Sequence, residues 1–395
     1  MAHQSVNGGE RVPLFVTRYS LSPKTAIGVQ TKHYLDAFAD WRHLHWVEFG
    51  SYFDRDPRSV RLGTFLAAKW PHYAAKLGRV RGLKRFLQPI WKGNALDERT
   101  SRDLVERYKG TVSSIYFAPV ESVDAGRMRR LAELLDRPFV LHLWDSLNEP
   151  ILASEDHRWL IQHAHQVLAL SKPLVAVAKE LRPDVSELLF VREPTEQRAK
   201  PPGAGPLRVA VIGFLSSYLS GLRLLHEAYK KMLAAGVPVE LHFVGSRRTL
   251  NRLNQPDITK DLQATGHLKS NADRDAALAT CHVAFLPGPM EPPADDMRSR
   301  YSIPSRVLDF MAVGLPVVGT VHPDSATAQF YADYGIGKNL LCGTAQEVAD
   351  ALTGLRDRGQ WGEAHQVSLA ALDGIDCKGQ LETLKGAMAA AAASA

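Results

Sequence analysis

The sequence predicts an α/β protein built from two doubly wound, Rossmann-like domains. Three observations predict it. The chain has 395 residues, more than one ordinary core fills. Short apolar, β-branched runs alternate with segments of helical period in both halves. Between the halves lies a Pro-, Gly- and charge-rich stretch without periodicity, EPTEQRAKPPGAGP at 193–206, which has the composition of an interdomain linker.

In the first half the β-like runs are 12–17, 45–49, 114–118 and 139–143, with shorter ones at 168–170, 174–177 and 188–191. A turn at 20–28 and a helical pattern around Tyr34, Leu35 and Phe38 follow the first of them. The boundary falls near Pro202, so the domains are expected over 1–200 and 201–360, with a helical segment and Ala-rich tail over 361–395. Past the boundary come a strand at 207–212, Gly213, a polar loop to Gly221 and a helix over 222–235. Leu222, Leu225, Tyr229 and Met232 share one face of that helix. Strands at 239–244, 282–286 and 316–320 alternate with helices at 272–280 and 304–313. Thr344 and Glu347 have capping-box spacing and open a helix over 345–355. The tail at 386–395 has high helix propensity and little to bury, so a fraying terminal helix is expected.

Composition narrows the class. Hydrophobic residues make up 45% and charged residues 23%, as in folded globular proteins and unlike disordered ones. Cys281, Cys342 and Cys377 form no CxxC, which points to neither a disulfide framework nor a zinc ribbon. The N-terminal MAHQSVNGGERVP lacks the basic flank and apolar run of a signal peptide. No uncharged apolar run approaches the roughly 18 residues that cross a bilayer, so a soluble or surface-bound chain is expected, and the cysteine usage points to a reducing cytoplasm.

The net charge of +6 is local: ten Lys or Arg face one acid, Asp56, within 55–93. Phe65, Trp70, Tyr73, Phe86 and Trp91 are interleaved with those cations. Such a mixture suits a helix on an anionic membrane surface, which would make the protein peripheral at the inner face of the membrane and bring it to a lipid-linked acceptor. A solvated basic helix pair is the plainer reading, and nucleic-acid contact the less favoured one.

The most informative segment is YSIPSRVLDFMAVGLPVVGT at 301–320. Pro304 suits a first helical turn, with Ser302 or Ile303 as N-cap, and free amides at a helix start attract phosphate. Gly314 ends the helix and Pro316 opens a buried strand. In these residues the sequence resembles the glycosyltransferase family 4 group, through Pro304-Ser305-Arg306, Asp309 and Met311-Ala312-Val313-Gly314-Leu315-Pro316-Val317-Val318. The resemblance covers most of 207–341 and, more weakly, the first half.

It implies the glycosyltransferase B (GT-B) fold, two such domains facing each other across a cleft, and transfer of a sugar from a nucleotide-diphosphate donor. The first domain would serve the acceptor, a glycan or glycolipid, and the second the donor. By the same resemblance Asp309 accepts hydrogen bonds from the ribose hydroxyls, a task for which a carboxylate has the acceptor sites. The first acid of the family's pair falls on Tyr301; Glu291, followed by the insert 292–300, is the other place for it. Gly213 matches the first loop of the donor domain, where backbone approaches phosphate. The family's Lys-Gly pair is Ser220-Gly221 here, so the leaving diphosphate needs another cation: Arg306 first, with Ser305 beside it, then Arg223, then Arg247 and Arg248. Gly266-His267-Leu268 matches the strand edge that pairs with the base. In the first half Trp144 stands where relatives carry a histidine, Asp145 is retained as a base, a sugar-orienting group or a helix cap, and His142 lies two residues back. Thr25 and Gly28 mark the loop where acceptor and donor meet.

The family's habit implies retention of anomeric configuration, with no cofactor and no metal required; Asp295-Asp296 is not read as a metal clamp. Two other functions stay open: a nucleotide-sugar epimerase of the same shape, and a non-catalytic nucleotide-sugar-binding protein that kept the fold after losing the family's Glu, Lys and His at three positions.

Overall fold

The computed structural model describes residues 11–17, 21, 26–38, 42–47, 59–63, 105–106, 108–119, 122–144, 150–192, 195–213, 215–266, 268, 270–337 and 340–395. It divides into two compact units, Met1–Leu189 with Leu381–Ala395, and Phe190–Gln380.

The first unit is a seven-stranded sheet in which every pairing is parallel. Its elements are β1 (Val12–Thr17), α1 (Ala26–Ala37), β2 (Arg42–Val47), β3 (Ser59–Gly63), β4 (Val112–Phe117), α2 (Ser122–Leu135), β5 (Phe139–Leu143), α3 (Glu155–His163), β6 (Gln166–Ala169), α4 (Lys172–Lys179) and β7 (Val185–Glu187). The strand order is β3-β2-β1-β4-β5-β6-β7. Central strands are covered on both faces, which is why β5 reads FVLHL and is buried throughout. Register places Phe15 opposite Tyr116, and their rings stack with centroids 4.1 Å apart.

Two expected strands are absent. Residues 174–177 lie inside α4, because Ser171 and Pro173 start a helix and Leu174 and Ala178 fall on one buried face. Residues 188–191 follow the short β7 as buried, irregular chain. The basic segment 55–93 lies outside the described residues except 59–63, and those form β3 rather than the start of a surface helix.

The second unit repeats the plan with β8 (Leu207–Ile212), α5 (Leu219–Ala234), β9 (Val239–Val244), α6 (Arg247–Asn251), α7 (Pro256–Thr259), β10 (Leu262–Ala264), α8 (Asn271–Ala279), β11 (Val283–Pro287), α9 (Met297–Tyr301), α10 (Arg306–Ala312), β12 (Val317–Thr320), α11 (Ala326–Asp333), α12 (Ala345–Gly354) and α13 (Arg358–Ile375). Its five parallel strands run β10-β9-β8-β11-β12. Leu222, Leu225 and Met232 of α5 pack onto Val209, Val211 and Phe285 of the sheet. Thr344 and Glu347 form the expected capping box.

Domain ends differ from the sequence expectation. The first unit ends at Leu189, not near 200, because the Pro-rich stretch is strapped to the second unit: Ala199 N–H donates to Val313 O at 2.8 Å and Arg198 to Ala312 O. The tail is no frayed end either. It forms α14 (Cys377–Ala393), which buries Leu384, Ala387, Met388 and Ala391. Small alanines let the helix come close, and Ser114 Oγ donates to Met388 O at 3.2 Å.

Candidate functional site

In open parallel sheets ligands bind beyond the carboxyl ends of the strands, where the first strand of each wound half meets its reversed neighbour. In the second unit that place is the end of β8 beside β11, with β12 next in the sheet, and four features of the sequence meet there. Gly213 leaves β8 with φ +99°, a left-handed backbone that strains any side chain. A Cβ on it would stand 3.2 Å from Arg306 Nη1, so the backbone and the guanidinium are neighbours. Gly221, in the first turn of α5, lies against the next two loops: a Cβ there would come 2.9 Å from Gly288 O and collide with Thr320 Oγ1. Helix α5 follows directly on a 3-10 turn, Leu215–Tyr218, and its N-cap Tyr218 gives it no side-chain hydrogen bond.

Arg306 is the cation of this edge. Its Nη2 donates to Pro287 O at 2.9 Å, and its guanidinium carbon lies 4.2 Å from the centre of the Tyr218 ring. Burial pulls its pKa down, while Tyr218 and Tyr331 act the other way. Arg306 Nε, Thr320 Oγ1 and Tyr331 Oη are all buried and have no hydrogen-bond partner among the described residues. Burial also raises the Tyr331 pKa. Unpaired buried polar atoms are costly, and these belong to residues at or beside one sheet edge.

The helix carrying Arg306 starts later than the sequence suggested. Its first residue is Arg306, not Pro304, because Ser305 takes the N-cap place in helical conformation and its hydroxyl caps nothing. Pro304 O and Ser305 O accept from Val307 N and Leu308 N, a tighter first turn.

Asp309, one turn on, is bound into an ionic cluster that sequence reading missed. Arg192 Nε donates to its Oδ1 at 3.1 Å, and Arg274 Nη2 lies 2.8 Å from the same oxygen. Arg192 Nη2 also holds both oxygens of Asp275, at 2.5 and 2.6 Å. Burial raises the Asp309 pKa, opposed by Arg274 and Arg192. These partners are 117 and 35 positions away in the chain, beyond any local motif.

The remaining candidates scatter. Tyr301 is buried, 2% exposed, as the last residue of α9. Glu291 is exposed; its backbone oxygen accepts from Ser299 Oγ. The insert after it folds as α9, capped by Asp296, which accepts from Arg298 N and Ser299 N. Arg298 Nη1 in turn donates to Ser217 O, beside the loop after Gly213. Arg223 and Arg248 are exposed, and Arg247 donates to Thr259 O and Leu262 O. His267, Asp145 and Thr25 lie outside the described residues, and Gly28 is in α1. Among the described residues no group of three or more His, Cys, Asp or Glu could hold a metal, and no helix is long and apolar enough to cross a membrane.

In the first unit the matching sheet edge holds a buried polar cluster. His142 Nε2 donates to Leu188 O at 3.0 Å, which leaves Nδ1 as acceptor for Trp144 Nε1 at 2.8 Å and Tyr116 Oη at 2.7 Å. Burial lowers the His142 pKa to about 3 and raises that of Tyr116. His142 is therefore a neutral anchor of the strand ends. Trp144 is itself buried there.

A sequence model of the family described as glycosyl transferases group 1 matches residues 206–357, the stretch that carries Gly213, Arg306 and Asp309. No curated protein matches the chain. Among solved structures, HepE of Anabaena in complex with UDP and glucose is 14% identical with a TM-score of 0.63, covering 95% of this chain and 99% of that one. The α,α-trehalose 6-phosphate synthase of Burkholderia multivorans is also 14% identical, with a TM-score of 0.60 and 98% and 97% covered. A UDP-forming α,α-trehalose-phosphate synthase of Burkholderia xenovorans is 12% identical, with a TM-score of 0.59 and 96% and 99% covered. With its two parallel, doubly wound sheets, the chain has the fold of the GT-B glycosyltransferases.

Proposed function

We propose that this protein is a glycosyltransferase of the family 4 kind that takes a UDP-sugar as donor and transfers its hexosyl group to a glycan or glycolipid. One observation carries the reading: inside the stretch that matches the group 1 family, the left-handed Gly213, the start of α5 without a side-chain cap and Arg306 meet at one carboxyl edge of a parallel sheet. That arrangement offers backbone amides and a fixed guanidinium to a diphosphate. Arg306 would neutralise the charge that develops on the leaving UDP, and Asp309 would take the ribose. UDP as the nucleotide follows the HepE complex and the UDP-forming synthases. Retention of configuration without a metal follows the resemblance seen in the sequence, as do Asp145 or Glu291 as acids near the transferred sugar.

A non-catalytic UDP-sugar binder is the second reading, favoured by the burial of Tyr301 where the family carries its first acid. The two separate on incubation with UDP-glucose, UDP-N-acetylglucosamine and a panel of glycan and lipid acceptors. UDP release that depends on an acceptor supports transfer; tight binding with no release in any mixture supports the second reading. No binding of UDP or any UDP-sugar overturns both. Proton NMR of the product tests the stereochemistry, and an inverted anomer would remove retention alone.

A further inference from the structure

Among the described residues the hydrogen bond to the Asp309 carboxylate falls on one oxygen. Oδ1 takes Arg192 Nε at 3.1 Å and faces Arg274 Nη2 at 2.8 Å. No hydrogen bond to Oδ2 is made among the described residues. The side chain is 14% exposed, more than that of Arg192 or Asp275, at 6% and 5%. Arg192 is itself fixed from three sides. Asp275 holds its Nη2 by two hydrogen bonds, and Cys377 Sγ accepts from its backbone N–H at 3.1 Å and donates to its backbone O at 3.0 Å.

We propose that Arg192 and Arg274 are positioning residues for the donor's ribose: they keep Asp309 ionised and oriented by occupying Oδ1, and so present Oδ2 to the two adjacent ribose hydroxyls. The proposal rests on the reading of Asp309 given under Proposed function. A carboxylate oxygen has two acceptor lone pairs, enough for a cis-diol, while a protonated carboxyl loses acceptor capacity. Burial favours the protonated form of Asp309, and the charge of Asp275 adds to that; Arg192 and Arg274 oppose it. Charge-assisted hydrogen bonds outweigh neutral ones about twofold, so ionisation decides how well the diol is read.

The test is calorimetric titration with UDP and with 2′,3′-dideoxy-UDP, repeated from pH 6 to pH 8. The wild-type protein should bind UDP about 10- to 100-fold more tightly than the dideoxy compound, with a ratio that is flat over this range. In Arg274→Gln the ratio should fall toward one, most at pH 6, while dideoxy-UDP affinity stays within about twofold because Arg306 still holds the diphosphate. Arg192→Lys, which keeps a charge beside Asp275, should lower the ratio in the same way and guards against misfolding of the first variant. Equal binding of the two nucleotides by the wild type overturns this inference and leaves the function standing. An unchanged ratio in both variants also overturns it, because the ion pairs would then be structural only. Failure to bind UDP at all overturns the inference together with the proposed function.

Discussion

The guanidinium carbon of Arg306 sits 4.2 Å from the centre of the Tyr218 ring, while Nη2 donates to Pro287 O. A residue at the end of the loop after β8 and a backbone oxygen at the end of β11 thus fix one arginine from two directions. Loss of a fixed charge that meets a developing anion costs about 10²- to 10³-fold in rate. Arg306→Gln should lower kcat/KM by that order. Arg306→Lys should recover no more than about tenfold, because an ammonium lacks the planar fork that both stacks and donates. Steady-state kinetics with the best UDP-sugar checks this, and full activity in the lysine variant would show that only a point charge is needed.

Most of the fold was legible because buried parallel strands announce themselves: 12–17, 139–143, 207–212 and 239–244 are strands with those bounds. Errors came where apolar runs are short. Leu174 to Val177 are apolar and β-branched enough for a strand, yet Ser171 and Pro173 decide for a helix. The burial of the tail involves distant residues such as Ser114, which no local pattern reveals. In the candidate site, the neighbours Gly213 and Arg306 are residues that the resemblance singles out in the sequence. The Arg192–Asp309–Arg274 cluster is not singled out, since arginines from distant segments carry no periodic or spacing signal.

Gly221 is a packing requirement rather than a flexible joint. An alanine methyl there would meet Gly288 O, which is backbone and cannot rotate away. Overpacking costs about 1–3 kcal/mol, and each kcal/mol shifts Tm by about 2–4 °C in a unit of this size. Gly221→Ala should therefore lower the melting temperature of the second unit by roughly 2–12 °C. Scanning calorimetry decides; an unchanged Tm would mean that α5 does not approach the loops after β11 and β12 as described.

Tyr331 Oη and Thr320 Oγ1 are buried without partners among the described residues, an arrangement that carries a desolvation cost. Removing such a group by a change of similar shape is neutral or stabilising by about 1 kcal/mol. Tyr331→Phe and Thr320→Val should melt at or above the wild-type temperature without ligand. If the hydroxyls serve the donor, the same variants should bind UDP more weakly, so stability and affinity move in opposite directions. A fall in both would mark the hydroxyls as ordinary structural groups.

His142 makes the first unit sensitive to acid. Its pKa in the folded protein is about 3, against an ordinary value of about 6.5 in the unfolded chain. Above about pH 6.5 both states are neutral and the stability is fully present. As pH falls below that value the unfolded chain takes up a proton and the folded one does not, so stability declines by about 1.4 kcal/mol per pH unit until His142 protonates near pH 3. In His142→Phe this dependence is gone, but Trp144 Nε1–H, Tyr116 Oη and Leu188 O lose a partner. The variant should therefore melt well below the wild type at pH 7.5, and the gap should shrink steadily from pH 6.5 to pH 4.5. Carboxylates that titrate in the same range act on both proteins and cancel in the difference. A gap that stays constant across these pH values would mean that His142 is not buried as the neutral base that its contacts require.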